Sequence, residues 1–182
     1  MSFKTLTKRT ALQWTLRLVL TAACTAMLAF IFSNSLKTGE QSVQQSSTMV
    51  EVVQNVAAVV APNSAIATAT GEMYERLHTW VRVFAHFAEF ALFGALLLWC
   101  IASYTWKKEW LWLSLIGVGC VPMLDETLQG FVAGRGTEFY DVCIDLAGGV
   151  CGILFAAAVL LILVCMIEKK QRKRASAHAK KV

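Results

Sequence analysis

Charge is scarce in this chain. Of its 182 residues only 16% are Asp, Glu, Lys or Arg, while 57% are hydrophobic. A soluble domain carries about 25% charged residues, so the balance excludes an ordinary soluble enzyme and fits a polytopic membrane protein. Proline occurs twice and glycine 11 times, which leaves no disordered or collagen-like stretch. The six cysteines form no C-x-x-C pair and no metal-type spacing. Cys24, Cys100, Cys120, Cys151 and Cys165 fall in or near apolar runs, where Cys acts as a small hydrophobe, and Cys143 alone adjoins a polar stretch. The net charge of +5 is not that of a nucleic-acid binder, because seven of the 17 Lys and Arg crowd into the last 14 residues without aromatic neighbours. A basic tail beside anionic lipid is the simpler reading, and nucleic acid is excluded as a partner.

What the chain does have is long apolar runs. Four predict membrane-crossing helices, at about 14–32, 83–105, 110–131 and 140–167, each near the ~20 residues that span a hydrocarbon core. The first follows a short basic stretch (Lys4, Lys8, Arg9) as a signal peptide would, but no small-residue cleavage site closes it, and Arg17 can snorkel to the basic side. It reads as a retained helix. The fold class expected is all-α: a four-transmembrane-helix bundle forming one membrane domain over 1–182, with an outer loop at 33–82 and a basic cytoplasmic tail at 168–182.

That loop is the long hydrophilic segment. A Gln/Ser-rich patch, Gln41 to Thr48, precedes Met49, Val50, Val53, Val56, Ala57 and Val60 at helical spacing, and Ala61-Pro62-Asn63 ends the pattern. A second periodic stretch (Met73, Leu77, Trp80, Val81, Phe84) follows Gly71. A pair of short amphipathic helices on the membrane surface is expected, with aromatics around Trp80 roofing the bundle and His78 solvated. Placing both termini in the cytoplasm leaves 13 Lys and Arg on the inner side and four, Lys37, Arg76, Arg82 and Arg135, on the outer. That asymmetry sets the orientation.

So oriented, the rare polar residues gather. Ser33, Asn34 and Ser35 close the first span; His86 and Glu89 open the second, three apart on one face; Asp125, Glu126 and Gln129 end the third; Asp141 and Asp145 open the fourth. Arg135 hangs over them from a loop with three glycines, Gly130, Gly134 and Gly136. Asp125 and Glu126 are about 100° apart on a helix, so one of them points squarely inward, and Glu126 is expected to because it shares a face with Gln129.

Carboxylates crowded into a half-desolvated pocket cannot all stay ionised; they hold a proton, pair with Arg135 or bind a cation. An acid that keeps its proton beside an ionised partner and a His is equipment for general acid–base catalysis, with His86, Glu89, Glu126 and Asp141 as candidates. The same set serves a proton relay in a transporter, or recognition of a polar headgroup through Ser33, Asp125, Gln129, Arg135 and Asp145, with Arg135 as an anion clamp. Its oxygen-rich donors suit Mg²⁺, Mn²⁺ or Ca²⁺, but no spacing singles out a metal. A bland role, as interhelical glue, needs fewer groups than converge here.

Three segments together, H-F-A-E-F-A-L-F-G (His86–Gly94), D-E-T-L-Q-G-F-V-A-G-R-G (Asp125–Gly136) and D-V-C-I-D-L-A-G-G-V-C-G (Asp141–Gly152), resemble the VanZ-like family of bacterial membrane proteins. F-S-N-S (Phe32–Ser35) fits it too, and the likeness spans about 14–167. Asp145 departs from the family's usual Asn. The resemblance implies a multi-pass protein of the bacterial cell membrane whose named member is linked to teicoplanin resistance; it implies no reaction. An envelope-modifying enzyme working on a lipid-linked or wall-associated substrate, a non-enzymatic binder of lipid or glycopeptide, and a proton-coupled transporter all stay open. The last is the weakest, since four helices without an internal repeat make poor alternating-access machinery.

Overall fold

The computed structural model describes residues 3–105 and 107–179. Trp106 and the end of the basic tail, 180–182, lie outside the described residues. Five helices follow one another: α1 (Phe3–Ser35), α2 (Gly39–Val60), α3 (Glu72–Tyr104), α4 (Lys108–Gln129) and α5 (Phe139–Ala179). No strand occurs among the described residues. In α1, α3, α4 and α5 the segments Thr10–Ser35, Glu72–Tyr104, Glu109–Gln129 and Phe139–Lys170 are long and apolar enough to cross a membrane. The protein is therefore a multi-pass, all-α membrane protein. Much of its surface is exposed Leu, Val, Ile and Trp, such as Leu18, Trp112 and Leu161, which acyl chains cover at no hydrophobic cost.

Helix α3 is central and touches the other four. Its tightest neighbour is α5, and glycines explain why. A Cβ at Gly148 would collide with the Phe87 carbonyl, one at Gly152 with the Ala91 carbonyl, and one at Gly94 with the main chain of Gly149. Small residues four apart let two helix backbones touch where lipid supplies no hydrophobic drive. Around this seam lies an apolar core of Met27, Ile31, Phe90, Phe93, Val118 and Ile153. Pro122 sits inside α4, buried; the carbonyl it leaves unpaired is sheltered within the bundle, where such a break is tolerated.

The connecting segments depart from expectation in one respect. Only one surface helix forms, and it is longer than the valine periodicity implied. Thr38 starts α2 with a capping box: its side chain accepts from the Gln41 main-chain N–H, while the Gln41 side chain accepts from that of Thr38. The Gln/Ser patch is thus its first half. The second periodic stretch is no separate helix but the start of α3, whose 33 residues run about 50 Å and overshoot a ~30 Å core. Helix α4 ends at Gln129 and not Phe131, while α1 begins before Trp14 and α5 continues past Ile167. With four crossings both termini lie on one side, and α2 and the 130–138 loop lie at the opposite end.

Candidate functional site

Each spanning helix buries a stripe of 3–4 spacing that turns polar at the end where α2 lies. On α1 it runs Cys24, Met27, Ile31, Ser35; on α4 Ser114, Val118, Pro122, Asp125, Gln129; on α5 Asp145 and Asp141 continue the seam glycines. Together with His86 and Glu89 of α3, these ends enclose a cavity of ≈ 180 Å³, room for about six waters. Asn34, Ser35, Arg82, His86, Glu89, Asp125, Gln129 and Arg135 supply its polar wall, and Ser42, Gln45 and Ser46 of α2 close it from above.

The wall is cross-linked helix to helix. Ser35 Oγ donates to Asp125 Oδ1, and Gln129 Nε2 donates to Asp125 Oδ2 at 2.7 Å. Asn34 Nδ2 donates to Glu89 Oε1 at 3.1 Å. Lys37 Nζ ties α1 to α2, donating to Asn34 Oδ1 at 2.8 Å and Gln45 Oε1 at 2.7 Å. Arg82 pairs with Asp141 at 2.8 Å. Deepest is a His–carboxylate contact. His86 Nδ1 lies 3.3 Å from Asp145 Oδ1, with the imidazole 18% exposed and the carboxylate 1%. The approach is close but not in line, so neither atom completes a hydrogen bond.

A model of the VanZ/LLP1 family matches residues 20–166 of the 182. The chain belongs to the VanZ/LLP1 family. Neither curated proteins nor solved structures give a match. In this VanZ/LLP1 protein the matched region takes in α2, α3 and α4 whole, parts of α1 and α5, and every polar residue of the cavity wall.

The structure brings His86, Glu89, Asp125, Gln129 and Arg135 to the cavity, with Asp141 and Asp145 buried just behind it. Two expected residues sit elsewhere. Ser33 is exposed and bonds back to the Phe30 carbonyl; its neighbours Asn34 and Ser35 face in. Glu126 is buried, but it accepts the main-chain N–H of Glu138 and does not line the cavity. The inward acid is Asp125, because the stripe of Val118, Pro122 and Gln129 passes through it and sets the rotation of α4.

Arg135 lines the cavity and also braces α1. Its guanidinium donates to the Asn34 and Ser35 carbonyls at 3.1 and 3.4 Å, capping the C-terminus of α1, where a helix favours positive charge. Burial, and then the nearby Arg82, pull its pKa below the ordinary arginine range. Trp80 does not roof the cavity. It lines an apolar groove with Phe84, Phe87, Cys143 and Ile144 on the far face of α3 and α5. The roof is α2, and His78 Nε2 meets α2 at the Val43 carbonyl, 3.4 Å away. The partner of Asp141, Arg82, and the α2 polar residues were not singled out from sequence. Among the described residues no three His, Cys, Asp or Glu are grouped to hold a metal.

Proposed function

We propose that this VanZ/LLP1 protein works at the outer face of a bacterial cell membrane, with both termini cytoplasmic, on the polar part of an envelope molecule: a membrane lipid, a wall precursor or a glycopeptide of the teicoplanin kind. The observation that carries the reading is the His86–Asp145 contact at the cavity wall. A carboxylate charge behind Nδ1 favours the proton on that nitrogen and leaves Nε2 to take a proton from a hydroxyl or amine in the cavity. Glu89, one turn along α3 and bonded to Asn34, is a second proton site. The engaged arginines hold the scaffold: Arg82 orders Asp141, and Arg135 ties the loop to α1.

Mass spectrometry of lipids and wall precursors from cells with and without the protein tests this. A species whose abundance or mass changes only when the protein is present is the expected result. An unchanged profile with the protein at full level in the membrane overturns the acid–base reading and leaves a binding role.

A further inference from the structure

The buried polar atoms left without partners at this end of the bundle are acceptors, apart from the ring nitrogen of His86. Gln129 is 1% exposed, lines the cavity, and has no partner at Oε1. Its Nε2 is held by Asp125, so the amide cannot turn over to hide that oxygen. Behind the wall both Asp145 oxygens also lack hydrogen bonds, although one faces His86 Nδ1 at 3.3 Å. A buried acceptor without a donor costs about 1–3 kcal/mol. None of the donors nearby reaches Gln129 Oε1: Ser35 bonds Asp125, Asn34 Nδ2 bonds Glu89, Arg82 bonds Asp141 and Arg135 bonds α1.

A ligand that satisfies this wall brings its own donors. A phosphodiester brings only acceptors and would face Glu89 and Asp125. An ammonium brings donors but accepts from none, so it cannot use the donors that Ser42 and Gln45 offer from the roof. A hydroxyl donates and accepts, which suits both the acceptor wall and the mixed roof. Resting on the reading that this cavity is the working site, we infer that it takes a neutral, hydroxyl-rich headgroup of the glycosyl class, one sugar ring in size.

The test places the purified protein in lipid nanodiscs carrying monoglucosyl diacylglycerol, phosphatidylethanolamine or phosphatidic acid, with matched chains at equal mole fraction. Native mass spectrometry then counts the lipid retained. The glucosyl lipid should be retained about tenfold more than either other guest. The double variant Gln45→Ala/Ser46→Ala, on the accessible side of α2, should remove most of that preference, as should Gln129→Leu. Equal retention, a preference for the amine or phosphate lipid, or a preference unmoved by the roof variant overturns the inference. His86→Asn separates the two readings. Glucosyl retention that persists in a variant whose envelope profile still matches wild type sinks the acid–base role and keeps the ligand class. An envelope change that needs His86, without glucosyl preference, does the reverse.

Discussion

The Phe87 carbonyl occupies the space where a side chain at Gly148 would stand. Phe87 adjoins His86 and Gly148 lies three residues beyond Asp145, so this contact fixes how closely the His and the carboxylate approach. Gly148→Ala should lower stability by about 1–3 kcal/mol, the usual cost of overpacking, and reduce activity by parting α3 from α5. Gly119→Ala in α4, where a Cβ meets nothing within 4 Å, should be neutral or gain up to about 1 kcal/mol. Thermal unfolding in detergent compares the two, and only Gly148→Ala should be destabilised.

In the proposed chemistry Asp145 acts through His86. Asp145→Asn should keep the fold, since the amide is isosteric and can still meet Nδ1, but slow conversion on the order of 10² by removing the anion behind the ring. His86→Asn should cost at least as much. The double variant should be no slower than His86→Asn alone, because residues acting as a unit are non-additive. Rates of product appearance in lipid extracts check this; independent, additive losses would contradict it.

Arg82 and Asp141 join α3 to α5 at 2.8 Å, with side chains 39% and 10% exposed. The arginine is partly solvated, so Arg82→Met should cost only about 1–2 kcal/mol. Asp141→Asn in that background should restore part of the loss by removing the stranded charge. A double-mutant cycle on unfolding should yield a coupling of about 1 kcal/mol.

The asymmetry of lysines and arginines predicts the orientation. A cysteine at exposed Gln44 on α2 should react with a membrane-impermeant thiol reagent in intact cells, and one at Ser176 in the tail only after lysis, both read against the parent protein. The reverse pattern would place the cavity on the cytoplasmic side.

The four spans, the α2 break at Pro62 and the clustering of acids at one end were legible because length, hydropathy and helical period are local properties. Helix rotation was not. Glu126 and Asp125 are equally polar neighbours, and sharing a face with Gln129 does not separate them, since Gln129 is also one turn from Asp125. The stripe Ser114, Val118, Pro122 carried the missing signal, and Cys24, Met27, Ile31 did the same for Ser35 over Ser33. The single surface helix was obscured because a Gln/Ser run has no apolar period, and its start depends on a capping box at Thr38 and Gln41. The aromatics near Trp80 line an apolar groove between α3 and α5, away from the cavity, a placement that depends on helix rotation and is not local.

The most direct measurement of whether this cavity does chemistry is the envelope lipid and precursor profile of cells carrying His86→Asn, at a membrane protein level equal to wild type. The account predicts a profile that matches cells without the protein. A profile indistinguishable from wild type would contradict it.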